Sequence, residues 1–240
     1  MPTLLSLNIK GGLGSLLRPL TAFLSTLDVD VICLQECAGP VVPWLQEQLD
    51  GTWQATWAEA TYNGNAILTR HPIATSRTLS LKTSGHAETR SAVDAVIDLP
   101  GGALRVCCTH LDHVLEPTRL AQWTALSAQT GGVAGGVLCG DLNALRRSDY
   151  TDAEWAKITA ERAEGCWELP RHDLLDTLLD AGFQDAADGT PPEPTSRFGT
   201  RIDYVLLAPG CPWRAVEIAT LPTLDRGITD HNGVLVRLHR

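Results

Sequence analysis

The sequence feature that most constrains the fold is a short apolar strand pattern that ends in a polar side chain. Residues 31–35 lead to Glu36 in this way, residues 104–109 lead to His110, and residues 136–140 lead to Asp141. Short apolar runs of this kind are typical of strands buried on both faces. A bare buried charge is costly, so each carboxylate must be exposed, paired or bound to a metal.

Helical and strand patterns alternate along the chain, with hairpin patterns in the middle. Helices are predicted near residues 16–27, 41–49, 117–129, 149–164 and 173–181. Strands are predicted at residues 3–8, 29–35, 52–58, 65–69, 74–81, 91–98, 104–110, 137–141, 202–207, 213–221 and 233–238. This order predicts an α+β, four-layer sandwich in which two mainly antiparallel or mixed sheets pack face to face with helices outside. Residues 1–240 are expected to form one domain.

Charge and targeting signals bear on partners and location. The formal net charge of -9 disfavours strong non-specific binding to nucleic acid. Arg146-Arg147 and residues 197–201 are the obvious basic spots. The N-terminus lacks a basic leader, and no apolar run approaches the ~20 residues of a membrane span. We therefore expect a soluble, intracellular monomer without a membrane span, in the cytoplasm, or the nucleus if the source is eukaryotic.

Seven cysteines are scattered mostly through apolar runs, and no C-x-x-C pair occurs. This pattern predicts buried, reduced thiols in a reducing compartment and argues against a zinc cluster.

Two acidic positions have the chemistry of a magnesium-dependent site. Asp141 and Asn143, at positions i and i+2 after a strand, are expected to project to the same side. A carboxylate can activate water while the amide binds a phosphate oxygen, and Gly140 would let backbone and substrate approach closely. Glu36 suits Mg²⁺ as an oxygen ligand. Taken alone, the first pair also fits an ordinary turn, and Glu36 an exposed strand end.

Histidines supply further candidates. His110 and His113 flank Asp112, and we interpret His110 as a phosphate ligand or proton donor rather than a zinc ligand. Asp203 opens a late strand, and Asp230 precedes His231. A histidine flanked by aspartates is held in one tautomer and made more basic, which suits acid or base catalysis near neutral pH. A capped turn explains Asp203 or Asp230 singly just as well.

Six short motifs occur in one order: Ser6-Leu7-Asn8, Leu34-Gln35-Glu36, Thr109-His110-Leu111, Gly140-Asp141-Leu142-Asn143, Arg201-Ile202-Asp203-Tyr204 and Thr229-Asp230-His231. Together they resemble the endonuclease/exonuclease/phosphatase superfamily, whose members share the deoxyribonuclease I-like fold and hydrolyse phosphate esters with a metal ion.

The resemblance implies specific roles. Glu36 would be the main Mg²⁺ ligand, or Mn²⁺ ligand, with Asn8 beside it and Asp230 as a ligand or support. Asp141 would orient or activate the attacking water, and Asn143 and His110 would contact phosphate oxygens. His231, paired with Asp203, would stabilise the transition state or act as a base.

Weaker candidates lie outside these motifs. Asn65, within Asn63-Gly64-Asn65, and Arg90 occupy positions where superfamily members often contact substrate. Glu116 with Arg119 resembles a box in tyrosyl-DNA phosphodiesterases and deadenylases. A surface salt bridge is an equal alternative for Arg90 and the favoured one for Arg119.

The substrate prediction is a phosphate ester, with nucleic acid as the leading choice. Inositol phosphates or lipid head groups are one alternative, and a non-catalytic binding module that keeps the fold is another. The complete residue set argues against the binding module, and missing ligand spacing argues against a zinc protein.

Overall fold

The computed structural model describes residues 1–11, 16–37, 39–60, 64–83 and 88–240. Its strands are β1 (Thr3–Gly11), β2 (Val31–Cys37), β3 (Gln54–Ala58), β4 (Asn65–Thr69), β5 (Ile73–Leu81), β6 (Arg90–Leu99), β7 (Gly102–His110), β8 (Val137–Asp141), β9 (Gln184–Asp185), β10 (Asp203–Leu207), β11 (Arg214–Leu221) and β12 (Gly233–His239). Its helices are α1 (Leu17–Leu24), α2 (Val41–Gln48), α3 (Glu116–Thr130), α4 (Asp152–Glu164) and α5 (Asp173–Asp180), with a 3₁₀ turn at Arg147–Asp149.

The strands form two six-stranded mixed sheets. The first has the order β11-β12-β1-β2-β4-β3 and the second the order β5-β6-β7-β8-β10-β9. Each sheet contains one parallel pair, β1 with β2 and β7 with β8, and its other pairings are antiparallel. The predicted two-sheet sandwich is confirmed.

Three apolar clusters hold the layers together. Side chains of both sheets, such as Val31 and Val106, interdigitate between the sheets. The outer face of the first sheet packs on α1 and α2, with Leu24 and Leu45 buried there. The outer face of the second sheet packs on α3 and α5. The helices therefore lie outside the sheets, as the apolar patterns predicted.

Some predicted boundaries were wrong. Helix α4 begins at Asp152 rather than at residue 149, because Thr151 caps it with a capping box that includes Glu154. The two-residue strand β9 was missed, since two residues carry no periodic signal. Strand β1 runs to Gly11 rather than ending at residue 8.

The prediction of buried thiols holds for most of the cysteines but not for Cys166, which is exposed, or Cys211, which is half-buried. All seven are free thiols, and five of them are buried. Cys33, Cys108 and Cys139 bring their sulfur atoms together between the sheets, within 4.8 Å of one another. Sequence spacing gave no sign of this group because its members come from three strands. Among the described residues, no helix has both the length and the apolar character needed to cross a membrane.

Candidate active site

Six polar residues from different parts of the chain converge at one end of the sandwich: Asn8, Glu36, His110, Asp141, Asp203 and His231. Parallel pairing brings the ends of β1 and β2 together, and those of β7 and β8, where His110 is in register with Asp141. Strand β10 runs antiparallel to β8 and places Asp203 opposite Asp141. His231 lies just before β12, and Thr229 donates a hydrogen bond to the carbonyl of Asn8 at 2.8 Å.

Asp141 is at the centre of this group and is 2 % exposed. Asn8 Nδ2 donates to Asp141 Oδ2 at 3.0 Å and to Glu36 Oε1 at 3.2 Å. The backbone N–H of Asn143 donates to the other Asp141 oxygen at 3.0 Å. Asn8 therefore links the two predicted magnesium-site carboxylates, and the Asp-x-Asn turn holds Asn143 against Asp141.

Gly140 has a role within the second sheet. Its φ is +137°, and a Cβ there would lie 1.8 Å from the carbonyl oxygen of Thr109 on the neighbouring strand. The close approach that the structure shows is between β8 and β7, and the approach of substrate to Gly140 stays a prediction. Only glycine fits this conformation and spacing, and it sets the register of His110 against Asp141.

Burial and neighbouring charge shift the acidic groups of the site. Burial raises the pKa of Asp141 to about 7, with a further contribution from the charge of Asp203. Burial also raises the pKa of Glu36, against the hydrogen bond from Asn8. Crowded carboxylates of this kind are stabilised as anions by a hard cation.

The His231–Asp203 pair is a short, buried contact of 2.9 Å between Nδ1 and Oδ2. Burial alone would lower the pKa of His231, but Asp203, and then Asp141 and Asp230, raise it to about 10. His231 Nε2 faces Asp141 at 3.8 Å. His231 is therefore an imidazolium at neutral pH, with one N–H committed to Asp203 and the other directed to the centre of the site.

His110 has the opposite character. Burial holds its pKa well below the usual range, and the charges of Arg90, His231 and His113 lower it further. Arg90, which can only donate, lies 3.2 Å from His110 Nδ1. Nε2 lies 3.5 Å from Asp141 and 3.0 Å from the amide nitrogen of Asn143, which is also a donor. His110 is thus a neutral imidazole beside the central carboxylate.

The remaining predicted residues surround this centre. Asp230 forms ion pairs with Lys10 at 3.1 Å and Arg197 at 3.6 Å, and it lines the same cleft. Asn65 is buried, and its amide donates to Ser91. Asn63, named with it, lies outside the described residues. The substrate contact predicted for Asn65 stays a prediction.

The two arginines for which a surface salt bridge was considered are both buried. Arg90 is 1 % exposed and contacts His110, His113 and Glu88. Arg119 is 2 % exposed and pairs with Glu116 and Glu168. The surface interpretation is wrong because each guanidinium is buried in the lining of the cleft, where it contacts these partners.

The predicted basic spots are already paired within the chain. Arg146 contacts Asp185 and Asp188, and Arg201 contacts Asp149 and Asp185. Arg147 pairs with Asp152. These charges stabilise the surrounding loops.

The site opens into a cleft of about 940 Å³ that runs from Glu36 and His231 to the end of α4. Sequence reasoning missed its far wall, formed by Ile158, Arg162, Cys166, Trp167 and Phe198. The sequence carried no signal for this wall, because Trp167 and Phe198 are distant in sequence and meet only in the fold.

The donor set suits a divalent cation. Glu36, Asn8 and Asp141 offer oxygen atoms, and Asp203 Oδ1 is a buried oxygen without a hydrogen-bond partner among the described residues. Oxygen-rich, carboxylate-containing sites select Mg²⁺ or Mn²⁺ over softer metals.

Comparison with known proteins agrees with this geometry. The model of the Endonuclease/Exonuclease/phosphatase family matches residues 5–231. A search of curated proteins found no match.

Solved structures share the fold at low identity. A mannosyl-6-phosphatase from Bacteroides thetaiotaomicron is 14% identical, with full coverage of both chains and a TM-score of 0.73. An endonuclease/exonuclease/phosphatase from Bacteroides vulgatus is 18% identical, covering 99% of this chain and 98% of the other, with a TM-score of 0.74. TDP2 from D. rerio, complexed with single strand DNA product, is 18% identical, with 100% and 99% coverage and a TM-score of 0.69.

The sandwich and its family match define a phosphoesterase of the deoxyribonuclease I-like class. The chain belongs to the endonuclease/exonuclease/phosphatase family, whose members are metal-dependent phosphoesterases.

Proposed function

We propose that this chain hydrolyses phosphate esters with Mg²⁺ or Mn²⁺, and that nucleic acid is its leading substrate. The observation that carries the proposal is the convergence on Asp141 of Asn8, Asn143, His110 and the His231–Asp203 pair. Hydrolysis of a phosphoester needs a positioned water, neutralised phosphoryl oxygens and help for the leaving oxygen. Each need has a group in this cluster.

The protonation states support an assignment of roles. Asp141, with a pKa of about 7, accepts a proton from water near neutral pH. His231, as an imidazolium, stabilises negative charge on the phosphoryl group and can donate its Nε2 proton. The Asn143 amide offers an uncharged donor to phosphate oxygens, and His110, predicted as a phosphate ligand, lies beside it as a neutral imidazole. Of the two roles that the family resemblance implies for His231, the raised pKa favours the stabiliser over the base.

Glu36, Asn8 and Asp141 would hold the metal ion, with Asp230 close by as a ligand or support. The metal, when bound, supplies Lewis-acid polarisation of the phosphoryl oxygen. Asn8 orients Glu36 and Asp141 through its single amide.

The test is a substrate panel measured with Mg²⁺, with Mn²⁺ and with EDTA. It covers single- and double-stranded DNA, abasic DNA, RNA, phosphotyrosyl ends, inositol phosphates and sphingomyelin. We expect Asp141→Asn and His231→Ala to abolish hydrolysis. His71→Ala is the matched control, because His71 pairs with Asp30 at 2.7 Å at a site away from the cleft.

Full activity in EDTA, or in either site variant, would refute the proposal. Hydrolysis of only inositol phosphates or lipids would support the proposed reaction but contradict nucleic acid as the substrate. Failure on the whole panel would favour the binding module.

A further inference from the structure

Exposed apolar side chains concentrate at one place on the surface. Of the eight large hydrophobic side chains that are exposed in the described part of the chain, four line the active-site cleft: Val114, Leu115, Trp167 and Phe198. Trp167 is 54 % exposed and Phe198 52 %. Exposed apolar surface gathered inside a cleft marks a ligand-binding surface.

Trp167 is held in place by the end of α4. Its backbone N–H donates to the carbonyl of Arg162 at 2.8 Å, and Cys166 N–H donates to Ala163 at 3.2 Å. These two bonds, with Cys166 at φ +54°, form a Schellman motif. The next residue, Glu168, is fixed by its ion pair with Arg119. The indole therefore stands on a rigid turn although it is exposed.

Phe198 belongs to a turn that is tied to His231. Ser196 forms a β-bridge with His231, and Arg197 N–H donates to the carbonyl of Asp230 at 3.1 Å. The Phe198 N–H donates to Ser196 Oγ at 3.2 Å. The ring is thus placed, through backbone contacts, beside the centre where hydrolysis is proposed.

The two rings contact each other edge to face, with centroids 5.0 Å apart and planes at 78°. This arrangement leaves a corner in which a flat ring can stack on one aromatic face and meet the other edge-on. The cleft wall around them also carries the charges of Glu161, Arg162 and Arg197. A long acyl chain would have to desolvate those charges, whereas a nucleotide keeps its own charged groups near them.

We propose that Trp167 and Phe198 form a base-stacking subsite that takes the nucleobase next to the scissile phosphate. The inference rests on the proposed phosphoesterase function and narrows it to substrates that carry an unpaired base. Duplex DNA would have to unstack to use this subsite, so single-stranded ends are preferred.

The kinetic test compares two single-stranded oligonucleotides of equal length and charge, one of thymidine and one of tetrahydrofuran abasic residues. Loss of one base–aromatic stack corresponds to roughly a 5- to 150-fold effect. We expect Trp167→Ala to raise KM for the thymidine strand by such a factor, with little change in kcat. It should leave the abasic strand unaffected.

Three further variants sharpen the comparison. Trp167→Phe keeps a stacking face and should retain most of the affinity, and Phe198→Ala should behave as Trp167→Ala does. Trp57→Ala is the matched control, because Trp57, on β3, is also an exposed tryptophan, with 39 % of its surface accessible. The inference is wrong if Trp167→Ala changes KM equally for the two strands or for neither. It is also wrong if KM for an alkyl phosphodiester rises as much as KM for the thymidine strand.

A binding measurement separates this inference from the proposed function. Anisotropy of a fluorescein-labelled thymidine oligonucleotide, in EDTA, reports affinity without turnover. Cys166, the exposed thiol beside Trp167, should also be protected from alkylation by the bound oligonucleotide, with Cys166→Ser identifying the signal. Binding lost in Trp167→Ala but kept in Trp167→Phe, in a protein that hydrolyses nothing, would support the subsite and refute the enzyme. Equal binding by all variants would refute the subsite alone.

Discussion

Replacing Asp203 with asparagine tests the electrostatics of the active site most directly. In the metal-free protein, the Asp203 carboxylate accepts the Nδ1–H of His231 at 2.9 Å, and its charge does most to hold the imidazolium. The asparagine amide would keep the shape and a hydrogen-bond acceptor but remove the charge. An opposite charge at this distance typically changes a pKa by about 1–3 units. We expect the pKa of His231 to fall by that amount from about 10.

The shift has a defined effect on stability. The pKa of His231 is raised from 6.5 to about 10 on folding. The protonated pair therefore stabilises the protein fully below pH 6.5, and that contribution is lost as the pH rises through 10. Each pKa unit is worth about 1.36 kcal/mol. Between pH 6.5 and 8.5, the loss of this contribution should lower the free energy of unfolding by about 2 kcal/mol in the wild type. In Asp203→Asn the loss should be about 2 kcal/mol if the pKa of His231 falls by one unit and about 0.4 kcal/mol if it falls by three.

The assay is urea unfolding in EDTA at several pH values within that range. The cysteines of the unfolded chain, with a reference pKa of about 8.5–9, begin to ionise toward the upper limit in both proteins alike, so the difference between the two proteins is the quantity compared. Asp141 contributes a fall of the same sign because its pKa is raised to about 7, so an NMR titration of the His231 ring separates the two. A wild-type His231 that titrates near 6.5, or a His231 pKa that is the same in Asp203→Asn as in the wild type, would refute the reasoning.

Three further predictions concern single residues. Gly140→Ala should lower the free energy of unfolding by about 3 kcal/mol in urea titrations, because a Cβ there would clash with the Thr109 carbonyl oxygen. The control Gly189→Ala, also at positive φ but in open space, should lower it by about 1 kcal/mol, and equal losses in the two variants would contradict the predicted clash. Cys166→Gly should raise that free energy by about 0.5–1 kcal/mol, since glycine is preferred at the left-handed position of the α4 cap; a thermal melt showing a loss would contradict this. Glu36→Gln should weaken Mg²⁺ binding at least about tenfold by calorimetry, whereas Glu217→Gln, at an exposed position, should leave it unchanged. An unchanged Mg²⁺ affinity in Glu36→Gln would show that Glu36 is not a metal ligand.

The fold was predictable where local pattern and burial agree. Runs such as residues 31–35 and 137–141 are apolar because both faces of those strands are covered, one by the opposite sheet and one by helices. The pattern therefore identified the strands and the sandwich. It did not identify β9, which depends on two hydrogen-bonded residues beside β10, or the start of α4, which depends on the Thr151 cap.

The site divides in a similar way. The motif residues could be named from the sequence because six short motifs occur in the order of the family that they resemble, although each motif alone also fits an ordinary turn or strand end. The buried arginines could not, since the burial of Arg90 and Arg119 depends on tertiary partners distant in sequence, such as His110 for Arg90 and Glu168 for Arg119. The aromatic wall was invisible for the same reason, as the contact between Trp167 and Phe198 depends on how two loops meet.

Backbone strain is concentrated where function is proposed. Of the six non-glycine residues with positive φ in the described ranges, four line the cleft: Lys10, Glu36, Asn143 and Cys166. Each such conformation costs of order 1–3 kcal/mol and persists only where surrounding structure fixes it. The raised pKa values of Glu36 and Asp141 add an electrostatic cost at the same place.

Strands β1, β2 and β8 are buried and paired on both sides, so the sheets supply the stability that keeps these residues in position. A cation and a phosphate ester would recover part of that free energy on binding, which is how a preorganised site converts the stability of its fold into affinity.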